Sequence, residues 1–139
     1  MVTFALERGN SVVATARRTH PLDDLVARYP STQLLVLRVD VTKPEDVKVA
    51  FSRAKEVFGR INIVYNNAGQ CLVGEVESVP IETARTLLEV NFWGVVNVTM
   101  EAIKFFREHN PKGMGGTLIQ MSSRITQTSH PAMGFYSAR

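Results

Sequence analysis

Four short runs of β-branched and apolar residues, each divided from the next by a segment of helical period, set the tightest limit on what this chain can fold into. The runs are Ser11 to Ala16 (SVVATA), Gln33 to Val39 (QLLVLRV), Ile61 to Tyr65, and Thr117 to Met121 (TLIQM). A strand that is apolar on both faces belongs inside a parallel sheet, and strands that alternate with helices build a sheet covered by helices. The sequence therefore predicts a doubly wound α/β arrangement with parallel strands at about residues 11–16, 33–39, 61–66 and 117–121.

The connecting segments carry their own signals. Residues 2–8 are helix formers that stop at Gly9, and Pro21 to Tyr29 reads as a short helix. Thr42-Lys43-Pro44-Glu45 has the spacing of a capping box, with a proline in the first turn, and predicts a helix to about Gly59. A long helix-period segment from about Pro80 to His109 ends before Gly113, Gly115 and Gly116. A loop through Pro131 then leads into a segment that stops at Arg139. A chain that opens in a helix and closes in one just begun reads as a single, partial domain over residues 1–139 of something larger.

Composition excludes several classes of function. Of 139 residues, 45% are hydrophobic and 21% charged, which is ordinary for one globular domain. The 16 Lys and Arg are interleaved with 13 Asp and Glu, so the net charge of +3 reads as a solvated surface and not as a nucleic-acid footprint. Cys71 is the only cysteine, and His20, His109 and His130 are too scattered to suggest a metal site. A reducing, cytoplasmic setting is the default. No apolar run approaches the roughly 20 residues of a membrane span, and no signal peptide is recognisable, so no membrane partner is expected.

The strand-end run Asn66-Asn67-Ala68-Gly69, then Asn91 in the long helical segment, Ser122-Ser123 after the fourth strand and Tyr136 beyond them keep a fixed order and spacing. With these four elements together the chain resembles the short-chain dehydrogenase/reductase family over its whole length. Taken singly, each has a plainer reading: two serines closing a strand, an aromatic on a helix surface, an asparagine bonding its own helix. The resemblance implies a Rossmann-like fold and assigns catalytic roles to Asn91, Ser123 and Tyr136. In it Tyr136 is the acid or base at the oxygen of a carbinol or carbonyl, Ser123 orients and polarises that oxygen, and Asn91 holds a water and a helix kink. A free phenol ionises near pH 10, on the order of three units above neutrality, so the chemistry calls for a nearby cation.

The same resemblance implies a nicotinamide cofactor. Arg17 and Arg18 follow the first strand where dinucleotide folds choose between two cofactors, and an arginine there accommodates the extra phosphate of NADP. They also read as two solvated arginines opening a loop. Asp40 and Val41 resemble the pair that contacts the adenine, and Asn67, Ala68 and Gly69 are expected to pass close to the cofactor, Gly69 because a Cβ would collide with it. Asn62 stands where the family often has an aspartate.

Two of the family's parts are expected outside the sequence. The Gly-rich turn that cradles the pyrophosphate would lie before Met1, and the lysine four residues after Tyr136 would fall at position 140. Arg139, at i+3 from Tyr136, is not equivalent to that lysine. The family's first strand would sit between SVVATA and the strand ending at Tyr65, which leaves three outcomes: the edges close up into a smaller four-strand sheet, another chain supplies a strand, or the sequence is part of a longer protein. The apolar stripe Leu87, Leu88, Phe92, Val95, Val96, Ile103 is expected to serve either the core or a homo-oligomeric interface. The leading expectation is an NADP-dependent oxidoreductase acting on a small-molecule carbonyl or secondary alcohol, with weak cofactor binding by these residues alone. The alternative is a repurposed protein without redox chemistry: an isomerase or cyclase using Tyr136 and Ser123, or a catalytically silent interaction protein.

Overall fold

The four predicted strands all form in the computed structural model, which describes residues 1–128 and 130–138. They are β1 (Val12–Ala16), β2 (Leu34–Arg38), β3 (Ile63–Asn66) and β4 (Thr117–Gln120), and their pairings are parallel. Helices α1 (Val2–Glu7), α2 (Asp23–Arg28), α3 (Pro44–Phe58), α4 (Ile81–Leu88), α5 (Val95–Glu108) and α6 (Gly134–Ser137) lie before, between and after them. Arg139, and with it any contribution of its charge near Tyr136, lies outside the described residues.

Among the described residues the strands form two separate ladders, β1 with β2 and β3 with β4. The edges of β1 and β3 do not close up on each other, so the smaller four-strand sheet is not what forms. A shared core holds the ladders in place of backbone bonds. Val39 just after β2, Val47, Ala50 and Phe51 of α3 and Ala102 and Phe105 of α5 are buried together, with Leu37 of β2, Val64 of β3 and Leu118 of β4 packed against them. Phe105 is 1% exposed and its ring lies 5.8 Å from that of Phe51. Burying such a side chain contributes roughly 1.5–3 kcal/mol. The opposite face of the first ladder has its own cluster, Leu6, Ala14, Leu25 and Leu34, contributed by α1, β1, α2 and β2.

The second ladder departs from the sequence reading. Its residues were expected to be buried on both faces, yet Ile63 is 61% exposed and Ile119 40%. Helices α3 and α5 cover only the side bearing Val64 and Leu118. The stripe on the long helical segment also divides: Leu87 is fully buried, whereas Phe92 and Ile103 are exposed.

Two local readings need correction. Helix α3 starts at Pro44 with Lys43 as its N-cap and no side-chain cap, so Thr42 and Glu45 form no capping box. Asp40 is the reason: its Oδ1 accepts from both the N–H and the hydroxyl of Thr42, at 3.1 and 2.8 Å. The reach back to the strand is made by Asp46, whose Oδ2 accepts from the Asp40 N–H at 3.0 Å. The long segment to His109 is not one α-helix either, because Glu89–Gly94 widens into a π-helical stretch between α4 and α5. Widened turns of this kind recur at functional sites.

Candidate active site

The C-terminal ends of the strands bring the candidate residues together around two clefts. Open α/β sheets bind ligands at that end, outside the carboxyl ends of the strands. One cleft, of about 200 Å³, is walled by Thr15, Ala16 and Arg17 after β1, by Val39, Asp40 and Val41 after β2, by Ala68 and Gly69 after β3, and by Val90. The other, of about 210 Å³, is walled by the run from Asn67 to Cys71, by Asn91 and Val95, by Met121 and Ser122 after β4, and by Tyr136 of α6. Ala68 and Gly69 belong to both.

Of the cofactor candidates, Arg17, Asp40, Val41, Ala68 and Gly69 line the first cleft and Asn67 joins Ala68 and Gly69 in the second. Arg18 is exposed and is not in either wall. The first cleft carries charges of both signs. Burial acts to raise the pKa of Asp40, but the hydrogen bonds from Thr42 and the charges of Arg17 and Lys43 outweigh it and hold the carboxyl below its ordinary 3.8. Asp40 is therefore an anion at neutral pH, facing the same space as the Arg17 cation. Arg38 supports the turn, its Nε donating to the Arg17 carbonyl at 3.4 Å.

Of the catalytic candidates, Asn91 and Tyr136 share the second cleft, while Ser123 stands one residue behind its wall. Ser122 faces the cleft, and Ser123 caps the 3-10 turn Arg124–Thr126, its Oγ accepting from the Ile125 N–H at 3.5 Å. Asn91 is buried in the π-helical stretch. Its Oδ1 accepts from the Gln70 N–H at 2.8 Å and its Nδ2 donates to the Gln70 carbonyl at 2.7 Å. Gly69 lies beside this pair, and within the protein a Cβ there would meet Asn91 Oδ1 at 3.4 Å, an ordinary contact.

Sequence reasoning passed over several residues that shape the site. Asn66, 5% exposed, donates from Nδ2 to the Val95 carbonyl at 3.2 Å and so joins the end of β3 to the start of α5. Asn97 donates to the Val41 carbonyl at 2.9 Å and fixes the wall of the first cleft. Gln70 and Cys71 line the second cleft. Only Asn66 had a visible signal, as the first residue of the Asn-Asn-Ala-Gly run. Among the described residues no helix is long and apolar enough to cross a membrane, and no three metal-ligating side chains cluster.

The family model described as short chain dehydrogenase matches residues 1–139. The chain is 39% identical over 138 residues to an uncharacterized oxidoreductase of Schizosaccharomyces pombe, covering 99% of this chain and 44% of that protein. It is 32% identical over 135 residues to 11-beta-hydroxysteroid dehydrogenase 1A of Arabidopsis thaliana, covering 94% of this chain and 37% of that one. Among solved structures, a short-chain dehydrogenase from Streptomyces avermitilis superposes with a TM-score of 0.86 at 33% identity, over 98% of this chain and 48% of the other. The chain thus spans less than half the length of each of these relatives.

Proposed function

The chain belongs to the short-chain dehydrogenase family, and from that premise we propose that the protein is an NADP-dependent oxidoreductase that reduces a carbonyl, or oxidises a secondary alcohol, on a small molecule. The observation that carries this reading is the shared wall of the two clefts. A ligand lying across Ala68 and Gly69 has Arg17 and Asp40 at one end and Asn91 and Tyr136 at the other. An extended dinucleotide fits that arrangement, with the Arg17 guanidinium suited to a ribose phosphate and the Asp40 carboxylate and Val41 suited to the adenosine.

When bound, the nicotinamide would supply a hydride to the carbonyl carbon or take one from the carbinol. Tyr136 then gives a proton to the substrate oxygen in reduction and takes it back in oxidation. The family's pattern gives the polarising of that oxygen to Ser123, although Ser122 is the serine that lines the cleft, and Asn91 acts by holding the wall of the cleft at Gln70. In the same proposal residues 1–139 are one part of a dinucleotide-binding domain. The protein works in the cytoplasm, the default for a stretch of 139 residues that holds a single cysteine. It assembles as a homo-oligomer, which the exposed Phe92, Trp93 and Met100 along the π-helical stretch and α5 support.

The test is turnover by the complete protein on a panel of ketones with NADPH and with NADH. Turnover that prefers NADPH and falls at least about 100-fold in Tyr136→Phe is expected. A preference for NADH would overturn the choice of cofactor. Conversion of a substrate without any nicotinamide would turn the reading to an acid–base isomerase or cyclase, and no conversion at all to an interaction protein.

A further inference from the structure

The geometry points to Gln70 as a specificity-determining residue, one that presents a fixed hydrogen-bond acceptor to the substrate and so selects carbonyl compounds carrying a hydroxyl group away from the reacting carbon. This inference rests on the oxidoreductase reading above and adds to it the class of substrate. Gln70 lines the same cleft as Tyr136 and is half-buried there. Its backbone is held at both ends, because Asn91 takes the N–H and the C=O together. Its side chain is held as well, with Nε2 donating to the Thr86 carbonyl at 3.3 Å.

That last bond decides the direction of the amide. A carbonyl can only accept, so the nitrogen of Gln70 must be the atom facing Thr86, and the oxygen is turned to the other side. Thr86 is near the end of α4, where the Glu89 N–H is shared between the Arg85 and Thr86 carbonyls, and the helix then widens into the π-helical stretch that carries Asn91. Among the described residues Gln70 Oε1 receives no hydrogen bond. The result is an acceptor whose backbone and amide nitrogen are both anchored, in the wall of a cleft that also holds an acid–base candidate. Such an acceptor favours a ligand that brings a donor, and a ligand without one displaces water from it with no replacement. A glutamine without those bonds would discriminate far less, because ordering its side chain on binding costs part of the gain.

The experiment compares ketone pairs that differ only by a remote hydroxyl, reduced by the complete protein, and reads the ratio of kcat/KM within each pair. The wild type is expected to favour the hydroxylated member of at least one pair by about five- to tenfold, the range of a single hydrogen bond. Gln70→Met, close in shape but without the acceptor, should bring that ratio to about one, and Gln70→Glu, which keeps acceptor oxygens, should retain a preference. Circular dichroism of both variants checks that the fold is kept, and Gln70→Glu carries the test if the methionine variant does not fold. Turnover of ketones with no hydroxyl preference in any pair, or a preference that persists in Gln70→Met, overturns the role of Gln70 and leaves the oxidoreductase reading standing. Failure to reduce any ketone with either nicotinamide overturns that reading, and the role of Gln70 falls with it.

Discussion

Asn91 grips Gln70 by both polar groups of its backbone, accepting from its N–H at 2.8 Å and donating to its carbonyl at 2.7 Å, across 21 residues of sequence. Removing the clamp leaves two peptide groups beside a buried site without their partners. Asn91→Ala should lower stability to urea by roughly 1–3 kcal/mol. Asn91→Asp keeps the acceptor but sets a carboxylate against the Gln70 carbonyl and should recover none of the loss. An unfolding midpoint equal to the wild type in either variant would show that the loop holds without Asn91.

Arg17 and Arg18 are neighbours in sequence but not in the site, since only Arg17 lines the first cleft. A phosphate held by an arginine loses a charge-assisted hydrogen bond when the guanidinium goes, which is worth about tenfold or more in affinity. In the complete protein, Arg17→Ala should weaken NADPH binding by that factor and leave NADH binding much less affected. Arg18→Ala should have the smaller effect on NADPH. Fluorescence titration with each cofactor gives the comparison, and equal losses in the two variants would contradict the assignment.

Asp40 ties stability to pH. Its folded pKa lies below the unfolded value of 3.8, so its contribution is present above that value and is lost as the pH falls through the folded pKa. Asp40→Asn should therefore flatten the decline of the unfolding midpoint below about pH 5 while leaving its slope near neutrality alone. The effect is modest, because the carboxylate is only partly buried and water screens it. A wild-type profile that parallels the variant's down to pH 3 or so would remove Asp40 from the account.

Gly94 sets two known effects against each other. Alanine in place of a helical glycine ordinarily gains about 1 kcal/mol. Here the added Cβ would come within 2.6 Å of Val41 Cγ2 and 3.2 Å of Val41 Cβ. Asn97 holds the Val41 carbonyl, so the valine has little room to retreat. Overpacking of this kind costs about 1–3 kcal/mol and should win. Thermal denaturation of Gly94→Ala should show a net loss, and a raised melting temperature would mean that Val41 moves freely.

Local pattern was enough to determine which segments are strands and which are helices. SVVATA, QLLVLRV and TLIQM are β-branched or apolar over lengths that suit a strand, and Gly59, whose φ is +76°, ends α3 where the sequence put its stop. The fixed order of Asn67 to Gly69, Asn91, Ser123 and Tyr136 likewise pointed to the strand ends where the clefts lie. Tertiary structure alone decided how those pieces meet. Thr42 was expected to cap α3, yet Asp40 took its hydroxyl, because two hydrogen-bonding choices of similar energy are separated only by the path of the turn. The exposed face of β3 and β4 is also a matter of which helices reach it, and Ile63 and Ile119 look no different in sequence from buried residues. The bonds from Asn66 to Val95, Asn91 to Gln70 and Asn97 to Val41 span 29, 21 and 56 residues. Propensity and periodicity act over one or two turns of chain, so a polar side chain that fastens a distant backbone leaves no period to read. The candidate residues are thus legible through their shared order and spacing, and the long-range bonds that the asparagines make become visible only once the chain has folded.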